Sequence, residues 1–547
     1  MLDLTATLFL TSFTILYAVY AVTWLCWYIW KDKSSLAIAD TEEVLFSGGQ
    51  NYIRNVLFLG IAMSQLFSPN LLNEHSVNTT VAIIVLLTSR VLAFGICVAF
   101  FNHLASLRCR TMEEYIRKRF DSVFLTALHL VTRILGLHYS WIMYIQMHQT
   151  FGLFNAVSSL EFVYVMGIFA TTSALGGLNV VLVGCFILWF LEITGQSVLF
   201  YSAQAHMFKN QSLIHFQLDP CYSEAGPNLF LVVVSQLLTI QPTYTLFQAA
   251  TSRKQANIAM GIGVALFLFN NVLSICSANG LRNYAQSQGL HFRDGLHGQY
   301  NLHFEQVSLF RARSQKQQEA TTVPSAITIS FSHFLILFGS CACGSIAMFL
   351  LQVQSLAMHT YLNVLPKWLR FGLISDGREL HITFSTTYLL CAYLGIMYLT
   401  YPYTIPPQQE EALNQYYLYQ PLTSQLLLMP VLTTVIFSPL CSDVWSLPVV
   451  VVTCAVVVIG MIFSAQTTPQ EVSCSVRWMP TIFFLVSLGC VMFMSFVLRA
   501  PKFIPTNLLF KYHFRLRRKK REQRIVSIIN ESGVARFGRA SLRFSNT

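Results

Sequence analysis

The chain has 547 residues, of which 54% are hydrophobic and 11% charged, whereas soluble domains carry about 25% charged residues. That balance excludes an ordinary soluble enzyme or binding module and puts most of the chain in lipid. The formal charge of +11 does not point to nucleic acid, because the whole excess lies in one C-terminal tail beside a membrane span and lacks interleaved aromatics.

Thirteen apolar runs are each long enough to span a bilayer, which takes about 17 to 25 helical residues. In chain order they cover 5–30, 51–69, 79–101, 122–148, 155–174, 178–203, 227–248, 257–279, 325–357, 380–401, 422–440, 446–464 and 479–498. Continuous apolar runs predict helices, not the short alternating segments of a β-barrel. The predicted fold class is all-α and polytopic, with a single transmembrane domain over 1–498 and a basic tail over 499–547. The first run is about 26 residues long and has no basic n-region, so it reads as a genuine first span and not as a cleavable signal. The thirteen cysteines lie mostly inside spans, where Cys behaves as a small hydrophobe. Cys221 and Cys474, both in loops predicted outside, could pair.

The second span ends on Phe67-Ser68-Pro69-Asn70. Proline lacks an N–H and frees a carbonyl upstream. The helix therefore either breaks at depth or ends near the outer surface. Broken helices with free carbonyls are how many secondary transporters hold a cation and a solute near the midplane.

Ionisable residues inside spans are costly and usually face an interior or a partner. Arg90 and Arg133 fall in the third and fourth spans, Glu161 and Glu192 in the fifth and sixth. Glu192 is the best buried candidate, and Arg90 or Arg133 would relieve its cost, either as a structural pair or around a proton site. His129, His138 and His148 are nine and ten residues apart, which is not a metal-ligand spacing. No His-Asp, Cys-His or metal cluster falls at a membrane face, so no catalytic residue and no resident cofactor are expected.

Loops after odd-numbered spans carry Lys31 and Lys33, then Arg108, Arg110, Arg117, Lys118 and Arg119, then Arg253 and Lys254, then Lys367 and Arg370. The positive-inside rule makes these cytoplasmic, with the N-terminus outside and the C-terminus inside. The loop over 280–324 pulls the other way, with Arg282, Arg293, Arg311, Arg313 and Lys316. The sequons at Asn78 and Asn210 both fall in loops assigned outside, as glycosylation in a plasma-membrane protein requires. The tail from Arg499 has thirteen Lys or Arg and two Glu, leaving 22 basic and 22 acidic side chains in the rest of the chain. Its core, RLRRKKR at 515–521, suits anionic lipid of the cytoplasmic leaflet, or serves simply to fix topology.

Three local motifs then stand in order: TMEEYIRKRF at Thr111 to Phe120, SALGGLNVV at Ser173 to Val181 and QAATSRKQA at Gln248 to Ala256. They resemble, respectively, the S/T-x-x-E-Y-L-x-x-R-F element, the T-x-L-G-G-L-K-A-V turn and the Y-L-A-A-K-S loop of the sodium:solute symporter family, in its monocarboxylate and multivitamin arm. The resemblance is best over about 40–260 and implies an inverted five-plus-five helix repeat. The first repeat would cover about 51–203 and the second about 227–440.

The resemblance further implies a sodium site made of main-chain oxygens of the second span and hydroxyls of the ninth. Ala62 and Gln65, in Ala62-Met63-Ser64-Gln65, match the first half; Ser340, Cys343 and Gly344 fall at the second. Only Ser340 keeps a hydroxyl there, and a thiol is a poor sodium ligand. Gly184-Cys185 stands where the family has Thr-Asp, and Leu246-Phe247 where it has Gln-Arg. The solute is expected where Gln65, Ser68 and Asn70 meet Gln236 and Thr239 of the seventh span. Such uncharged groups suit a small organic solute, and the positive end of a half-helix would hold a carboxylate. The leading expectation is a secondary transporter of a small organic solute such as a monocarboxylate, vitamin or similar organic anion, with sodium as the candidate coupling ion. The alternative is an uncoupled or non-transporting solute sensor on the same fold; a multispan membrane enzyme is the third reading.

Overall fold

The computed structural model describes residues 4–31, 52–67, 80–106, 159–207, 241–250, 252–287, 343–364 and 377–400, together with Thr41, Leu45, Phe46, Leu485 and Val486. Every regular element among them is helical. In chain order these are α1 (Leu4–Lys31), α2 (Tyr52–Phe67), α3 (Thr80–Ser106), α4 (Ser159–Met207), α5 (Gln241–Gln248), α6 (Arg253–Ser287), α7 (Gly344–His359) and α8 (Gly377–Thr400). The spans expected over 122–148, 422–440, 446–464 and 479–498 lie outside the described residues, apart from Leu485 and Val486.

The helices are assembled as lipid demands. Large apolar side chains point outward, including Leu16 and Val19 on α1, Phe269 and Val272 on α6, and Leu390 and Leu394 on α8. Polar side chains point inward, including Gln65, Glu192, Asn270, Ser274, Gln354 and His359. Burying polar groups and exposing aliphatic ones is unfavourable in water but natural where hydrocarbon is the solvent. Met166–Tyr201 and Arg253–Ser277 are long and apolar enough to cross a membrane.

α2 is described as far as Phe67 and α8 as far as Thr400; Pro69 and Pro402 lie outside the described residues. The ninth span was expected to end at 357. Instead α7 runs to His359 and continues as a π turn over Thr360–Val364 before Pro366. The polar His359 that ended the apolar run is itself buried.

α4 contains the fifth and sixth spans joined through Gly177, whose backbone (φ 58, ψ −146) is not helical. A side chain is disfavoured at that φ. An added Cβ would also stand 2.8 Å from Leu45 Cδ2 and 2.9 Å from Leu45 Cα. The break falls between the predicted spans, inside the SALGGLNVV motif. A helix end leaves carbonyls without intrahelical donors, and here α8 supplies them: Ser385 Oγ donates to the Ala174 carbonyl at 2.8 Å and His381 Nε2 to that of Leu175 at 2.9 Å.

Candidate cation site at the end of α2

α2 is a short helix buried on three sides. It packs along α6 and against both α4 and α7, and α7 packs on α4 in turn. Close approach to α6 depends on two glycines. A Cβ on Gly60 would stand 2.7 Å from Ile262 Cγ2 and 3.0 Å from the Ala259 carbonyl oxygen, and one on Gly263 would stand 3.1 Å from the Gly60 carbonyl oxygen. Small residues let membrane helices gain dispersion contact that the hydrophobic effect cannot supply in lipid. Towards α4 the contact is aromatic, with Phe58 against Phe186 at 5.0 Å between ring centroids.

This packing brings the last turn of α2 inside the bundle. Ala62 and Gln65 are both fully buried. The Gln65 carbonyl is the one whose helical donor would be residue 69, and Pro69 has no N–H to give. Gln65 also uses its side chain. With the amide oriented to pair both groups, it donates to the Cys185 carbonyl at 3.2 Å and accepts from the Trp189 N–H at 3.0 Å. Those two are the i and i+4 groups of a single rung of α4, so α2 is clipped into the backbone of its neighbour. Gln65 further faces the carboxyl of Glu192.

Glu192 is met by amides. Gln196 Nε2 lies 3.4 Å from Glu192 Oε1 and Gln65 approaches from α2. The arginine partner weighed from the sequence is not what the described residues provide: Arg90 sets its guanidinium over the Phe267 ring at 5.6 Å, and Arg133 lies outside them.

The other half of the expected site opens α7. Cys343 precedes that helix with a backbone that is itself helical (φ −61, ψ −46), makes no side-chain capping bond and is fully buried, and Gly344 is the first residue of α7. Among the described residues, a Cβ added at Gly344 meets no atom within 4 Å, which leaves room there for a side chain. α7 is also tied to the segment ahead of α2, where Gln354 Nε2 donates to the Leu45 carbonyl at 3.0 Å. Ser340, Ser68, Asn70, Gln236 and Thr239 lie outside the described residues, as do Asn78, Asn210, Cys221 and Cys474. Among the described residues no group of three or more His, Cys, Asp or Glu could hold a metal ion.

No family model matches the chain, and no curated protein matches it. The chain is, however, similar to a solved structure of a Na+-coupled sialic acid symporter, in its substrate-bound, outward-open state. The TM-score is 0.62, the identity 10%, and the match covers 89% of this chain and 98% of that one. The fold is a transporter fold. The chain is accordingly an integral membrane protein, all-helical and polytopic.

Sequence reasoning missed the residues that hold the break in α4. Tyr17, His381 and Ser385 reach Ser173 to Val180 from helices distant in sequence. The one available signal was polarity: each is a hydrogen-bonding residue in an otherwise apolar run.

Proposed function

We propose that the chain is a secondary active symporter that carries a small organic solute, of the monocarboxylate or vitamin kind, together with a cation. The observation carrying this reading is the last turn of α2. It is buried between α4 and α7, its Gln65 carbonyl is followed four residues on by Pro69, which has no N–H to give, and it lies within the fold of a Na+-coupled symporter. A hard monovalent cation needs several oxygens in place of its water shell. The Ala62 and Gln65 carbonyls supply one side and Ser340, ahead of α7, the other. The solute would sit beyond, among Gln65, Ser68, Asn70, Gln236 and Thr239, between two repeats of about 51–203 and 227–440. The N-terminus is outside the plasma membrane and the basic tail inside, against anionic lipid.

A second reading has its own observation. Two positions at which the resemblance leads one to expect an oxygen-bearing side chain hold the buried thiols of Cys185 and Cys343. A chain so thinned of oxygens suits a solute sensor that binds without transporting.

A ligand screen separates these readings from a chain that binds nothing. Purified protein is melted with a panel of monocarboxylates, vitamins and sialic acid, in sodium and in choline buffers. A solute that raises the melting temperature more in sodium than in choline supports cation-coupled binding. Equal shifts in both support the sensor, and no shift with any solute counts against both.

A further inference from the structure

Glu192 is 3% exposed and Gln196 2%. Among the described residues, Glu192 Oε2 and Gln196 Oε1 both lack a hydrogen-bond partner, as does the indole Nε1 of Trp189. From α2, the Gln65 amide faces the same carboxyl, and no charged side chain acts on it among the described residues. An ionised carboxylate in a lipid-embedded core needs a countercharge, and amides supply none.

The spacing indicates what would. The Gln196 amide nitrogen stands 3.4 Å from Glu192 Oε1, long beside the roughly 2.9 to 3.0 Å of an ordinary N–H···O bond. Amide nitrogen and oxygen are interchangeable by rotation, which would place Gln196 Oε1 at that same distance. Two oxygens each about 2.4 Å from one cation, at right angles, are about 3.4 Å apart. The pair therefore has the separation of neighbouring ligands on a single hard cation. It turns the unpartnered Gln196 Oε1 into a ligand beside Glu192 Oε1.

We propose that Glu192 and Gln196 on α4, closed on the α2 side by Gln65, form a binding site for a dehydrated alkali cation, sodium being the ion to probe. The site is distinct from the one at the start of α7. It takes no ligand from α7; its side chains come from α4 and α2 alone. Because Gln65 both clips α2 to the Cys185–Trp189 rung and faces Glu192, occupancy would fix how α2 seats on α4. The use of this ion to drive transport rests on the symporter reading; the site itself does not.

The test is binding of radiolabelled sodium to the purified full-length protein without solute, at fixed pH, with choline holding ionic strength. Glu192→Gln should remove one bound ion or weaken affinity about ten-fold or more. Gln196→Leu should weaken it less, and Ser340→Ala should leave this component intact. Wild-type affinity and stoichiometry in Glu192→Gln overturn the proposal. So does an infrared carbonyl band of protonated Glu192 that sodium leaves unchanged, since a proton would then be the countercharge. Should Glu192→Gln fail to fold, Glu192→Asp keeps the charge on a shorter arm and must alter the preference between lithium and sodium; an unaltered preference overturns the site equally. Intact binding in a protein that accumulates no solute overturns the transport reading and leaves the site standing.

Discussion

The phenol of Tyr17 on α1 lies 2.8 Å from Ser173 Oγ and donates to the Val180 carbonyl at 3.0 Å. A phenol has a single proton, so Ser173 donates to Tyr17 while Tyr17 donates to Val180. The first span thereby holds both sides of the break at Gly177, four residues after Ser173 and three before Val180. The fit is close enough that a Cβ on Gly184 would stand 2.7 Å from the Tyr17 hydroxyl oxygen.

Tyr17→Phe keeps the ring, which stacks on Phe169 at 5.0 Å, and deletes both bonds. Its expected cost is about 0.5 to 2 kcal/mol, the range for hydrogen bonds in proteins and between membrane helices. Thermal unfolding in detergent checks it; an unchanged melting temperature would show that α1 is held by ring packing alone.

Gly177→Ala should be much worse. The new methyl meets the Leu45 backbone at 2.9 Å on a residue whose φ of 58 disfavours any side chain. A loss of about 2 to 4 kcal/mol or failure to reach the membrane is expected. Gly167→Ala, where a Cβ meets nothing within 4 Å among the described residues, is the control and should be near neutral. Equal behaviour of the two variants in surface expression would sink the account of the break.

Much of this architecture is legible in the sequence because lipid imposes a simple rule on it. The apolar run over 5–30 became α1 almost residue for residue. Gly177 falls between the fifth and sixth predicted spans, where the backbone breaks. What could not be read was how helices rotate about their axes. Periodicity does not reveal that Gln65 turns toward the Cys185–Trp189 rung, nor that Glu192 meets amides while Arg90 turns to Phe267. A continuous apolar run has almost no moment to orient it, so the polar contacts between helices set the rotation, and those need three dimensions.

Gly60→Val probes the contact of α2 with α6. The added carbon stands 2.7 Å from Ile262 Cγ2 and 3.0 Å from the Ala259 carbonyl oxygen, so the helices must separate. The expectation is a fall in stability of about 1 to 3 kcal/mol and loss of any sodium-dependent shift in melting temperature. Full retention of that shift in a folded variant would mean that the seating of α2 does not shape the cation site.

Cys343→Ser with Gly344→Ser restores two hydroxyls at the opening of α7. Gly344 has space for a Cβ, and serine at Cys343 is smaller than the thiol it replaces. The double variant should raise apparent sodium affinity several-fold in the binding assay, because hydroxyl oxygen is the harder ligand. An unaltered affinity would place the opening of α7 away from the ion.

The most direct measurement is uptake of a radiolabelled solute, chosen by the melting screen, into proteoliposomes with an inward sodium gradient or an equal choline gradient. The account predicts accumulation above equilibrium in sodium, none in choline, and a weaker sodium response in Ser340→Ala. Binding of the solute without accumulation under any cation gradient would contradict it and leave a sensor on a transporter fold.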